Sequence, residues 1–295
     1  MEKVYDICCG IDVHKKLTVA CLRNGRKKEI RQTGATTREL LELADWLKSA
    51  GCQMVAMEST GSYWKPLYNI LEISGLPAMV VNARHMKAVP GRKTDVSDAE
   101  WIADLAQHGL LRASYIPDKE QRELRELVRY RKSLVEDRTR ELNRLQKMLE
   151  GANIKLSGTV RDINGMSARN ILNYIVTGNR LDEAAFDEMR QQGKISSFLK
   201  APKSQILDDL NGVLSPLQRR VMKELLSHLD ELNEHIRNLD DEIDRFMKPE
   251  ESEASAKIQD LPGIGSTSAQ TIISVIGTDM SRFPTEKHIS SWAGL

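Results

Sequence analysis

"VYDICCGIDVHKKLTVACLRNGRKKEIRQTG", residues 4–34, decides the fold. Its apolar and β-branched residues form three short runs, "VYDICCGID", "LTVACLRNG" and "KKEIRQTG". Between them lie turns containing Lys15-Lys16 and Asn24-Gly25. Runs of this length bounded by turn residues read as strands, and connections this short favour antiparallel neighbours. The stretch is therefore expected to be a three-stranded meander.

Downstream, strand-like and helix-like patterns alternate. A helix is expected from about Thr37 to Ser49, capped by threonine, with Leu40, Leu41, Leu43, Ala44 and Leu47 on its apolar side. "CQMVAME" reads as a fourth strand, "SYWKPLYNILEIS" as a helix, "LPAMVVNA" as a fifth strand, and a further helix opens near Asp95. A meander followed by alternating helices and strands describes a mixed α/β sheet. This is the order of an RNase H-like domain, assigned to residues 1–115.

Within "GRKTDVSDAEWIADL", residues 91–105, Asp95 and Asp98 open that last helix. Taken alone, the pair reads as an N-cap and a dipole-favoured acid. Asp12 ends the first strand and Glu58 the fourth, however, and those strands are neighbours in such a sheet, with the last helix packing across their ends. Residues three apart on a helix share a face. Asp12, Glu58, Asp95 and Asp98 are thus expected to converge. Their mutual repulsion and desolvation call for divalent cations. Mg²⁺, or Mn²⁺ in its place, prefers such hard oxygen ligands, and two ions about 4 Å apart can share such a cluster with a phosphate. Arg92 and Lys93, beside the acidic helix, are candidate phosphate contacts or a solvated turn. Tyr63 and Trp64 suit either the core wall or stacking on a base.

Residues 116–250 read as a helical region. A long charged helix spans about Asp118 to Glu150, and a small helical insert occupies residues 160–212. Leu225, Leu229, Leu232, Ile236, Leu239, Ile243 and Phe246 then recur at alternating spacings of four and three. That is a heptad seam, the mark of a coiled coil. Its partner is the 118–150 helix, a second copy of the chain, or both, with the two helices forming an antiparallel hairpin that then dimerises. "KPEESEASAK", residues 248–257, reads as a linker. In residues 251–295, "LPGIGSTSAQTIISVIG" resembles a helix-hairpin-helix element, whose Gly263 and Gly265 would let backbone amides approach a DNA phosphate. An ordinary glycine turn before a core helix is the alternative.

The chain has 295 residues, 40% hydrophobic and 29% charged, which suits folded domains and excludes wholesale disorder. No apolar run approaches the roughly 20 residues that span a bilayer, and the N-terminal residues lack a signal-peptide pattern. Cys8, Cys9, Cys21 and Cys52 form no CxxC pair, so buried thiols and a cytoplasmic location are expected. The net charge of +1 is unevenly spread: residues 208–253 carry six basic against thirteen acidic side chains. Basic clusters occur at Arg23, Arg26, Lys27, Lys28 and Arg31, at Arg84, Lys87, Arg92 and Lys93, and along Arg122, Arg125, Arg129, Arg131 and Lys132. This pattern permits a nucleic-acid partner.

"GIDVHK", "MESTGSYW" and "GRKTDVSDAEWIADL" resemble the three acidic blocks of the DEDD transposases of the insertion sequence 110/1111 family. The resemblance runs on through the coiled-coil region to "FPTEKHISSWAGL". It implies a RuvC-like N-terminal domain whose tetrad is Asp12, Glu58, Asp95 and Asp98, and the start of a C-terminal transposase domain. It also implies Mg²⁺-dependent recombination of DNA by an oligomer, a dimer or tetramer, guided by a non-coding RNA. In the family a nucleophilic serine lies in a Gly/Ser-rich segment shortly after the "AGL" that here ends at Leu295, so the nucleophile is expected to be missing; Ser290 and Ser291 precede that motif and are not assigned the role. Rival readings are a Holliday-junction-type endonuclease and a catalytically incomplete DNA-binding assembly protein. An actin-like ATPase is set aside, because His14-Lys15 stands where a phosphate loop is needed.

Overall fold

The structure, a computed structural model, describes residues 3–59, 61–82, 98–197, 199 and 201–293. It divides into two compact units, Met1–Pro117 and Asp118–Leu295. In the first, β1 (Ile7–Val13), β2 (Leu17–Asn24) and β3 (Lys27–Gly34) form the antiparallel meander. Helix α1 (Thr37–Ser49) leads to β4 (Met54–Glu58), α2 (Trp64–Ile73) to β5 (Ala78–Val81), and α3 covers Asp98–Gln107. The sheet order is β3-β2-β1-β4-β5, with β4 parallel to β1 and β5 parallel to β4. The first and fourth strands are therefore neighbours, as the sequence pattern requires.

Local chemistry explains the boundaries. Thr36 caps α1 through a reciprocal capping box with Glu39, whose carboxyl is held below its usual range by the Thr36 hydroxyl and amide. Gly25 adopts φ 61° in the two-residue β2–β3 turn, where glycine carries no Cβ penalty. Alternation along β1 sends Cys9, Ile11 and Val13 into the core beneath α1 and α2, with Leu43, Leu47, Leu67 and Leu71. On the opposite face Cys8 packs with Ile102 and Ala106 of α3. The sheet is thus covered on both sides, which its mostly apolar central strands demand.

In the second unit, α4 (Lys119–Gly151) and α9 (Pro216–Phe246) are long helices that pack together. Between them lie α5 (Leu156–Thr159), α6 (Met166–Val176), α7 (Glu183–Gln191) and α8 (Lys203–Asp209). Leu124 and Val128 meet Ile243, Leu134 meets Leu232 and Ile236, and Leu145 and Leu149 meet Met222 and Leu226, so the pair is antiparallel. The heptad seam of α9 is therefore occupied within the chain. Burying each such side chain stabilises the pair by about 1.5–3 kcal/mol relative to exposure. Leu225, Leu239 and Phe246 are only half-buried at this seam.

The expected linker is a helix instead, α10 (Pro249–Gln259). Pro249 starts it, the Glu251 carboxylate accepts from the Lys248 amide at 2.9 Å, and Lys257 lies in its last turn. Capping and dipole chemistry make this helix without the apolar stripe by which periodicity is recognised. Helix α11 (Ser266–Ile276), a 3₁₀ turn at Met280–Arg282 and α12 (Glu286–Ala293) complete the unit. No helix among the described residues is long and apolar enough to cross a membrane.

The cysteines are free and buried. Burial pushes the Cys8 thiol up to about 12 and that of Cys52 up to about 11, from an ordinary 9.0. Thiols that resist ionisation only when folded cost no stability below pH 9.0. Above it the unfolded chain ionises first, so unfolding free energy should fall as pH rises from 9.0 towards about 12. Urea titrations at pH 8 and pH 10 check the trend, and Ellman's reagent should label no thiol of the folded protein at pH 8; rapid labelling would contradict the buried placement.

Candidate active site

The site begins with the packing of α3 on β1. A Cβ on Gly10 would lie 2.2 Å from the Ala103 nitrogen and 2.4 Å from the Ala99 oxygen, so helix and strand meet backbone to backbone. Cys8 Sγ lies 3.5 Å from the Ala103 carbonyl oxygen and also packs with Ile102 and Ala106. Moving along β1 from Cys8 to Gly10 thus moves along α3 towards its N-terminus. Asp12 is two residues further on the same strand face, and Asp98 is the first residue of the helix. The β1–β4 register ends at Ile11 opposite Met57, so Asp12 and Glu58 are the next residues of neighbouring parallel strands. Ala56 packs on the α3 side of the sheet, and alternation puts Glu58 on that side too.

Asp12, Glu58 and Asp98 therefore belong to one end of one sheet face. Asp95, Arg92 and Lys93 lie outside the described residues. Among the described residues, no three His, Cys, Asp or Glu side chains are grouped closely enough to hold a metal ion. Asp12 is 21% exposed, and its Oδ2 lies 3.0 Å from His14 Nε2.

Two basic residues of the meander pair with acids of α3. Arg23 pairs with Asp104, Lys28 Nζ reaches Glu100 Oε2 at 3.0 Å, and Gln107 Nε2 donates to the Gly25 carbonyl at 3.2 Å. Arg31 sits over the Trp46 ring at 4.2 Å and also meets Glu29. Sequence reasoning singled out neither Gly10 nor the pairing of His14 with Asp12. Both are readable in hindsight from period-2 alternation, which puts residues 8, 10 and 12 on one side of β1, with residue 14 just past its end.

Residues 9–154, which contain all four acids, match a DEDD transposase family model, and residues 255–295 match the model described as transposase of the IS116/IS110/IS902 family. The chain belongs to the DEDD transposases of the insertion sequence 110/1111 family. It is 23% identical over 289 residues to the transposase for insertion sequence element IS1111A of Coxiella burnetii, across 97% of this chain and 67% of that one. It is 24% identical over 288 residues to a probable family 20 transposase of Pseudomonas aeruginosa, across 97% of this chain and 69% of the relative. Among solved structures, T. thermophilus RuvC in complex with a Holliday junction substrate matches at 11% identity and TM-score 0.28, covering 37% of this chain and 100% of that one.

Elsewhere in the transposase, Trp64 packs edge-to-face on Tyr68 with centroids 5.7 Å apart, on the border of the core, whereas Tyr63 is 43% exposed beside the strand end of Glu58. In the C-terminal part, Gly263 has φ 87° in the turn between α10 and α11, and Gly265 is the N-cap of α11. Helix α11, which follows this turn, is fixed by side chains of α4. Gln121 Nε2 donates to the carbonyls of Ile273 and Ser274 at 2.8 Å, and Arg125 Nη2 to Val275 at 2.7 Å. The buried Arg131 bonds Asp240, Gln270 and the Thr267 carbonyl. Gln121 and Arg125 thus supply donors to the Ser274 and Val275 carbonyls in the last turn of α11, where intrahelical donors run out. Arg125 and Arg131 of the expected basic stripe thus serve the fold.

The contact at Gly10 sets where Asp98 sits. Gly10→Ala should destabilise the transposase by about 1–3 kcal/mol, because added volume in a packed core forces displacement and here the neighbour is backbone. An unchanged urea midpoint would contradict the close approach.

Proposed function

We propose that this transposase recombines the DNA of its insertion sequence by metal-dependent phosphoryl transfer at Asp12, Glu58, Asp95 and Asp98. The observation that supports this most is the register of β1 and β4, which carries Asp12, one residue before the end of β1, and Glu58, the last residue of β4, to the same end of the sheet face covered by α3. Capping would account for Asp98 alone. It gives no reason for acids at two neighbouring strand ends.

The donor set fits a hard divalent cation. Carboxylate oxygens suit Mg²⁺ and Mn²⁺, and the nearby His14 is already engaged with Asp12 rather than offering itself as a soft competitor. Asp12, Glu58, Asp95 and Asp98 would hold the ion, which when bound neutralises charge developing on phosphate oxygens. The strands do the positioning: backbone hydrogen bonds on both sides of β1 fix Asp12 before substrate arrives. Asp98 is the first residue of α3, at the helix N-terminus. Arg92 and Lys93 would contact the phosphodiester beside this centre.

The turn at Gly263 and Gly265 would present backbone amides at the start of α11 to a DNA phosphate without reading sequence. Assembly of two or four chains and guidance by a non-coding RNA rest on the family resemblance, and so does action in the cytoplasm. Because the seam of α9 is taken up by α4, self-association would use other surfaces of the helical hairpin.

In a transposition assay with the element's DNA and RNA, Asp12→Asn and Glu58→Gln should reduce Mg²⁺-dependent strand exchange to background while circular dichroism stays unchanged. Wild-type rates in both variants would overturn the assignment. Affinity for duplex DNA of arbitrary sequence should fall steeply between about 50 and 200 mM salt. Gly263→Val, which strains the left-handed turn, should weaken it further; affinity indifferent to both would exclude the turn as a phosphate contact.

A further inference from the structure

His14 stands apart from the family's acidic tetrad, yet its side chain is in direct contact with Asp12. Its Nε2 lies 3.0 Å from Asp12 Oδ2, and its own ring is 58% exposed. An ionised carboxylate only accepts hydrogen bonds, so Nε2 is the donor. The backbone leaves this contact little freedom. The His14 amide donates to the Leu17 carbonyl at 2.8 Å, closing the β1–β2 turn, and the ladder continues through Val13 opposite Thr18 and Asp12 opposite Val19. Residues 12 and 14 are two apart at the end of a strand, so their side chains rise on the same face.

We propose that His14 is a positioning residue for the reaction centre: it fixes the Asp12 carboxylate through Oδ2 so that the other oxygen is presented to a divalent cation in one orientation. The inference rests on the metal reading of the acidic cluster. Without a partner, a carboxylate on a partly exposed strand end samples several χ2 angles, and a cation must freeze that motion when it binds. A donor already in place removes this cost beforehand. Partners that hold a ligand's second atom commonly change metal affinity by about 10- to 100-fold. The exposed ring contributes little to the core, so its loss should leave folding intact.

Titration of the full chain with Mn²⁺, followed by the electron paramagnetic resonance signal of the free ion without DNA, tests this directly. The wild type should bind, Asp12→Asn should not, His14→Ala should bind about 10- to 100-fold more weakly, and His14→Gln, which restores an N–H donor of similar reach, should recover part of the loss. Thermal melting without metal should be the same for all four proteins. Tight binding by His14→Ala alongside loss in Asp12→Asn would overturn the positioning role and leave the acidic centre standing. Equal binding by Asp12→Asn and the wild type would instead remove the centre itself, and the role of His14 with it.

Discussion

At Gly10 there is no room for a single carbon between β1 and α3. That contact sets the distance and the phase of the helix on the sheet, and the carboxylates follow from it. Because Cys8 meets Ile102 and Ala106 while Gly10 meets Ala99 and Ala103, the first turn of α3 is directed to the end of β1 that carries Asp12. Arg23 and Lys28 then clamp the far side of the helix through Asp104 and Glu100. A glycine, two ion pairs and a strand register together position Asp12, Glu58 and Asp98, three of the four acids of the proposed site. Pre-set geometry of this kind is what phosphoryl transfer requires, since the chemistry depends on positioning and electrostatics more than on covalent participation.

The second unit is organised by a comparable device. Its long helices meet through an apolar seam, but the C-terminal helices are fixed to them by polar side chains. Arg131 is buried among acceptors from α9 and α11, and Gln121 and Arg125 terminate α11. Buried polar contacts of this kind specify one arrangement more sharply than apolar packing, because each misalignment leaves a donor unsatisfied. The turn carrying Gly263 and Gly265 is thereby held at a fixed place on the helical hairpin.

The five strands and the helices between them were legible because each has a clean period and chemical punctuation: Thr36 and Glu39 open α1, and Gly25 turns β2 into β3. The strand-end positions of Asp12 and Glu58 were legible for the same reason. What escaped was anything decided by partners in space. Residues 248–257 have no apolar stripe, so their helix is visible only through its caps. The heptad seam shows that α9 needs a partner but not that α4 supplies it. The carboxylates and the indole that Arg23, Lys28 and Arg31 contact are likewise not legible along the chain. The pairing of His14 with Asp12 escaped because one histidine two residues from an aspartate acquires meaning only once the strand end and the turn after it are placed.

The central claim is that acids from separate elements share one cation site at the end of this sheet. Anomalous diffraction from crystals of the protein grown with Mn²⁺ measures it most directly. A manganese peak bonded to carboxylate oxygens of Asp12, Glu58 and Asp98 is the predicted result. Well-ordered carboxylates turned away from one another, with no anomalous density between them, would contradict it.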